Sequence, residues 1–557
     1  MGSKLSALLV SATIVTGLLA AGPVASAAGK PAGKPAAAVK LPARFTRQVL
    51  HWKTCKKNST YWQGVDCALL KVPLDYAKPG GRTIEVAIDR LRAAGGMPSL
   101  GILMTNPGGP GTTGLFMVPK LRQAAPPAVH QSYEIVGMNP RGFGPWQGMG
   151  AGATRLTCAS IGRRKVTPPV LPGWASATLR FYADHARKQE LACQDRAAGL
   201  RRYITTMNTA RDIDLLRMVL GKARISYFGV SYGTWLGAVY GALFPSHLNR
   251  MVLDGALNPR ISWYDSETDG DNAQLFNFSS WAAWAAANDL GLGASAADVR
   301  VAVDKLYGDL GTTEPIGGFT QQSLSRDIGT FTRYRKDWAT FAARLRNAIM
   351  ASDGEPADPA MSRDVASASD LVPGPTDVTP LSDEDSSDGV YNAVTCDWPW
   401  PKPNAAGYRE YNDNINFWLK TFPYGNTLQP RGPSACTYLN YKPLEALPVI
   451  TSRGAYPRGL VVNTDGDIQT PLATARVMAK TLGFDLITVT NDGTHAIAFS
   501  DDADTKPNRC VDDAVTAYLI TGKLPGTITC PTANPPTTST STSLTAEARA
   551  DAAQDIP

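Results

Sequence analysis

The 557-residue sequence has little histidine, five residues in all, and little charge: 18% Asp, Glu, Lys and Arg against 43% hydrophobic residues. So apolar a composition excludes a disordered chain and leaves material for a large core. Lys and Arg outnumber the acids 55 to 48 and form no dense run beyond clusters such as Arg163-Arg164-Lys165. That argues against a nucleic-acid partner. No Cys-x-x-Cys spacing or His cluster is present to hold a metal, and nothing implies a cofactor. No repeat of solenoid period runs through the chain, and after the N-terminal residues no uninterrupted apolar stretch could span a bilayer.

What is present begins with an address. Lys4, the apolar run Leu5 to Ala21 and Val24-Ala25-Ser26-Ala27 have the layout of a secretory signal peptide, residues 1–27, cut after Ala27. The mature protein is then expected to be soluble and secreted. An even set of eight cysteines in an exported chain reads as disulfides. They fall into sequence-local couples, which predicts Cys55–Cys67, Cys158–Cys193, Cys396–Cys436 and Cys510–Cys530.

Residues 28–43 read as a flexible leader and 531–557 as a disordered Thr/Ser-rich tail. Between them, strand and helix patterns alternate. Strands are predicted at Thr83–Leu91, Gly101–Thr105, Ser132–Gly137, Ile225–Val230, Arg250–Leu253, Gly459–Asn463 and Asp485–Thr490. Helices are predicted at Ala210–Leu220, Thr234–Phe244, Pro471–Leu482 and Cys510–Thr521. Such alternation specifies a mainly parallel sheet covered by helices, an α/β fold. The pattern breaks over residues 259–447, which read as a mostly helical cap with a loop-rich section through Asp383–Gly389. The core is thereby divided into residues 44–258 and 448–530.

Chemistry concentrates at Gly229-Val230-Ser231-Tyr232-Gly233, between a strand and a helix. A nucleophile elbow needs glycine two positions to either side of the Ser, because the turn brings those backbones too close for a Cβ. Ser needs a base, and with the order Ser, acid, His only His247 and His495 lie downstream. His495 follows a strand, in Asn491-Asp492-Gly493-Thr494-His495, where a base belongs; His247 has no acid-bearing strand before it. For the acid, Asp465 and Asp467 both qualify from local sequence. The Asn106-Pro107-Gly108-Gly109-Pro110-Gly111 loop suits an oxyanion hole, with the backbone N–H of Gly109 as donor beside that of Tyr232.

Further landmarks are Val72-Pro73-Leu74-Asp75-Tyr76, Asn139-Pro140-Arg141-Gly142, Ala210-Arg211-Asp212-Ile213-Asp214 and the Asp467…Thr470-Pro471 segment. Together with the elbow and the Gly-rich loop they resemble secreted bacterial tripeptidyl aminopeptidases, relatives of prolyl aminopeptidases in the α/β-hydrolase superfamily. The resemblance runs from about residue 50 to Cys530 and implies an α/β-hydrolase fold with a Ser231-Asp467-His495 triad. It selects Asp467 over Asp465, since the family acid precedes an x-x-Thr-Pro segment. Asn139 stands where the family usually has Asp, and Ile468 where it commonly has Pro. The implied activity is serine exopeptidase action on peptides with free N-termini; an esterase or other acyl hydrolase on the same triad is the alternative. Cap acids Asp265, Glu267, Asp269, Asp271 and Asp397 are available to a substrate ammonium, and a monomer is the favoured state.

Overall fold

The structure, a computed structural model, describes residues 41–57, 59–158, 175–197, 199–311, 314–356, 381–425, 432–451, 457–500 and 506–534. All belong to a compact unit spanning residues 35–557. The signal segment lies outside the described residues, as do most of the leader and tail.

Ten strands form one sheet: β1 (Lys53–Thr54), β2 (Val65–Pro73), β3 (Thr83–Leu91), β4 (Gly101–Asn106), β5 (Tyr133–Met138), β6 (Ile225–Val230), β7 (Leu248–Asp254), β8 (Leu460–Thr464), β9 (Asp485–Thr490) and β10 (Ile528–Pro531). Their order is β1-β2-β3-β5-β4-β6-β7-β8-β9-β10. β1, β2, β3 and β5 pair antiparallel. From β5 to β10 every pairing is parallel, with helices making the crossovers. β10 takes in Pro531, so the ordered core runs slightly past the predicted boundary.

The central strands read as apolar runs because both sheet faces are covered. Side chains alternate between two cores: Tyr227, Leu253 and Val461 face one, while Phe228, Val252 and Val462 face the other. The helix predicted from Ala210 starts earlier, at Thr206, because the Thr205 hydroxyl caps it by accepting the Asn208 N–H at 3.1 Å.

Between β7 and β8 the named elements are all helical: Trp263–Ala287, Ala296–Asp309, Gln321–Phe331, Trp338–Ser352, Leu381–Thr395 and Ala405–Thr421 are the longer ones. All but Leu381–Thr395 contribute to a separate core around Phe278, Trp281, Phe341 and Leu345, whereas that helix buries Val390, Ala393 and Val394 in one of the cores of the sheet. Trp281 packs at a tilt against Phe341, ring centres 4.9 Å apart, and donates its indole N–H to the Trp338 carbonyl at 3.2 Å, so this aromatic run is packing. One expectation is corrected: the stretch through Asp383–Gly389 is not loop but part of the helix Leu381–Thr395. Buried Ser386, Val390, Ala393 and Val394 recur at helical spacing, and that burial outweighs the poor propensity of the Asp/Ser-rich first turns.

The four disulfides are Cys55–Cys67, Cys158–Cys193, Cys396–Cys436 and Cys510–Cys530. Three of the sequence landmarks meet in one buried cluster. Fully buried Arg141 forks onto Asp212 at 2.6 and 2.8 Å and donates to the Leu74 and Tyr203 carbonyls, both at 3.0 Å. The Tyr76 hydroxyl donates to the same carboxylate at 2.7 Å.

Candidate active site

Ser231 lies between β6 and the helix Tyr232–Leu243 with φ 55° and ψ −127°, a conformation that strains a residue bearing a Cβ. Its flanking glycines explain how the turn closes. A Cβ on Gly229 would run into the Gly233 carbonyl, and one on Gly233 would come within 2.6 Å of the Asn106 carbonyl oxygen. The Ser231 N–H donates to the carbonyl of Asp254, the last residue of β7, at 2.9 Å.

The Gly-rich loop after β4 lies against the elbow. A Cβ on Gly108 would sit 2.9 Å from both Ser231 Cβ and Tyr232 N. The Gly108 N–H is occupied by Asn106 Oδ1 at 3.0 Å. Asn139 holds the far end of this loop: its Oδ1 accepts from Thr113 Oγ1 at 2.8 Å and Gly114 N at 2.9 Å, and its Nδ2 donates to the Gly144 carbonyl at 3.0 Å. An ionised aspartate could not make that last bond, so the amide is at home here.

The two loops following β8 and β9 bring Asp467 and His495 together. His495 Nδ1 lies 2.8 Å from Asp467 Oδ2, and since an ionised carboxylate only accepts, Nδ1 carries the proton. Asp467 is further held by the Gln469 N–H at 2.8 Å on Oδ1 and the Thr470 hydroxyl at 2.7 Å on Oδ2. Burial pushes its carboxyl up, but the His495 charge and hydrogen bond outweigh this and leave it below its ordinary value. Burial likewise pushes His495 down, and Asp467 more than reverses it. Asp465 plays another part: its Oδ1 accepts the Asp492 N–H at 3.2 Å, bracing the base loop. His247 lies elsewhere, 2.6 Å from Asp214 and stacked on Phe244.

The sequence reading missed Asp254. Its carbonyl holds the Ser231 N–H, while its Oδ2 accepts the Ala498 N–H at 2.7 Å, just beyond His495. Burial pushes this carboxyl up to about 7. The imidazole lies over the next residue, where a Cβ on Gly255 would come within 3.2 Å of the ring. The available signal was Asp254-Gly255 ending a strand beside the elbow strand, on the sheet edge where α/β sites form.

Cap residues border this region. Trp263 packs edge-on against Tyr232 at 6.1 Å and donates to the Tyr391 hydroxyl at 3.3 Å. Of the cap acids, Asp265 accepts from Ser262 at its own helix start, and Asp397 accepts the Thr206 N–H at 3.3 Å. Burial, aided by the Asp265 charge, pushes Asp269 up to about 6.

Residues 101–361 match the α/β hydrolase fold family, and residues 422–530 match a family described as TAP-like protein. The chain is 30% identical over 495 residues to a tripeptidyl aminopeptidase of Streptomyces lividans, covering 86% of each. It is 26% identical to the serine protease Hip1 of Mycobacterium tuberculosis, covering 86% of this chain and 90% of that one. It is 29% identical to a carboxylesterase B of the same species, covering 94% and 97%.

Proposed function

The chain belongs to the tripeptidyl aminopeptidase family of the α/β hydrolases, and we propose that it is a secreted serine exopeptidase releasing short peptides from free N-termini. Serine peptidase chemistry follows from the family. The observation that supports a Ser-His-Asp mechanism is the Asp467–His495 pair, 2.8 Å apart on loops that border a strained Ser231 elbow, and the preference for free N-termini rests on the likeness to tripeptidyl aminopeptidases. In this reading Ser231 Oγ attacks the scissile carbonyl as His495 Nε2 takes its proton, while Asp467 fixes the tautomer and stabilises the imidazolium. His495 then protonates the departing amine, leaving the N-terminal fragment as an ester on Ser231. A water attacks that ester by the reverse proton path. The Tyr232 N–H is one oxyanion donor. Because the Gly108 N–H is already bonded to Asn106, the loop's donor falls to Gly109.

The mature enzyme begins after Ala27, works outside the cell, and carries a cap of residues 259–447 between the two parts of its core. Four disulfides fit that compartment, and among the described residues no helix is long and apolar enough to cross a membrane. The likeness to a carboxylesterase favours a second reading, ester hydrolysis by the same residues.

A free N-terminus decides between them. A carboxylate that grips the substrate ammonium contributes about 1.5–3 kcal/mol, so N-acetylation of a chromogenic tripeptide amide should lower kcat/KM by about 10-fold or more. Equal rates for the free and acetylated amides, or turnover only of a simple acyl ester, would overturn the peptidase reading in favour of the esterase.

A further inference from the structure

Both catalytic loops lean on one cap residue. Arg333 follows the helix Gln321–Phe331 and reaches the loops carrying Asp467 and His495. Its guanidinium Nη2 donates to the Gly493 carbonyl, two residues before His495, at 2.7 Å. Its main chain is as close. A Cβ on Gly466, the residue before Asp467, would lie 2.6 Å from the Arg333 carbonyl oxygen, and one on Gly493 would lie 2.6 Å from Arg333 Cβ. Neither glycine lies in the left-handed region; the Arg333 contact excludes a side chain at Gly493 and, together with the Asp492 carbonyl oxygen at 2.9 Å, at Gly466. A second tie runs alongside, the Asn277 amide donating to the Gly466 carbonyl at 2.9 Å.

We propose that Arg333 is a positioning residue through which the cap sets the register of the acid loop against the base loop and adjusts the charge balance of the Asp467–His495 pair. The inference rests on the triad reading above. It makes the cap more than a wall of the substrate cleft, because removing one of its side chains loosens the catalytic dyad itself. Arginine suits the position because its fixed charge and planar fork hold a backbone carbonyl in one direction.

The charges facing His495 are Asp467 on the acid loop, Asp254 from the end of β7, and Arg333 from the cap. Asp465 and Asp492 lie on the same two loops and accept loop N–H groups, from Asp492 at 3.2 Å and from Thr494 at 2.9 Å. The carboxylates favour the imidazolium and Arg333 opposes it. Removing the cation therefore raises the His495 pKa, and the acid limb of activity moves to higher pH.

The test follows the rate of Ser231 labelling by a fluorophosphonate across pH, with wild type, Arg333→Met and Arg333→Lys as the full-length secreted protein. Labelling needs neutral His495 and no particular peptide, so it reports on the dyad whether the substrate is a peptide or an ester. Arg333→Met should label about 10- to 100-fold more slowly at its optimum, the scale of a small misplacement of reacting groups, with its acid limb moved to higher pH. Arg333→Lys keeps the charge and loses the fork. It should retain the wild-type limb and recover part of the rate. Coincident limbs for wild type and Arg333→Met, or a Lys variant displaced as far as the Met variant, would overturn the proposal. Labelling that survives in Ser231→Ala would instead overturn the triad reading beneath it.

Discussion

Two buried carboxylates in this molecule face a nitrogen base and are put to opposite uses. Asp212 is enclosed with Arg141 and Tyr76, takes three donors, and meets a partner whose charge never changes. Asp467 is equally buried, but its partner is an imidazole at the rim of the sheet. A permanent cation makes the first site a fastening, joining the segments after β2 and β5 to the helix Thr206–Val219. A titratable partner makes the second a device that can take up and return a proton. The number of hydrogen bonds does not separate them. The partner's ability to change charge does.

The comparison breaks most sharply if the two sites fail in the same way. Asp467→Asn should lower kcat by about 10⁴-fold, as loss of the triad acid does elsewhere, with a melting temperature near wild type. What activity remains should extend to lower pH, because Asp467 is what holds the His495 pKa above 6.5. The linkage has a definite sign. The charged pair contributes stability that is fully present below the unfolded value of 6.5 and is lost as pH rises through the folded value. Melting curves of wild type and His495→Gln at stepped pH should therefore converge on the alkaline side.

Arg141→Met strands a buried carboxylate and should destabilise by about 3–5 kcal/mol in chemical denaturation. The pH profile of whatever folds should match wild type; a displaced acid limb would mean the two sites communicate. Tyr76→Phe removes one donor of three from Asp212 and should cost about 1.5–3 kcal/mol with kcat unchanged. The smallest effect is expected from Asp465→Asn. An amide oxygen can still accept the Asp492 N–H, so stability should stay within about 0.5 kcal/mol of wild type. A turnover loss rivalling that of Asp467→Asn would hand the acid's role to Asp465.

What the sequence made legible was local. The elbow can be read because its glycines are demanded within five residues, and His495 because few histidines compete with it. Strands such as Ile225–Val230 could be read because burial on both faces leaves an unbroken apolar run. The two aspartates after β8 look alike in isolation, and only the family resemblance chose Asp467; the fold turns it toward His495 and Asp465 toward a backbone amide. Asp254 and Arg333 were harder to read for a stronger reason. Each acts across a long gap, Asp254 on Ala498 at a separation of 244 residues and Arg333 on Gly493 at 160; Asp254 was marked only by its place at the end of the strand beside the elbow, and Arg333 sits in no pattern of its own. The helix over Asp383–Gly389 was misread because its first turns have poor helical propensity, while the burial of Ser386, Val390, Ala393 and Val394 that favours it cannot be read locally.

The outer strands of the sheet carry one more consequence. An open sheet has two selvedges, and a strand there can peel, exposing its unpaired amides to foreign chains or to a protease's cleft. Here β1 hems one side and β10 the other, and each is stitched by a covalent bridge: Cys55–Cys67 ties the end of β1 into β2, and Cys510–Cys530 ties β10 to the helix Arg509–Thr521. The bridged residues are separated by only 12 and 20 positions. Each short stitch still removes roughly 3 kcal/mol of unfolded-chain freedom at the place where unravelling would begin. Bridged in this way, the sheet offers no loose thread at either margin.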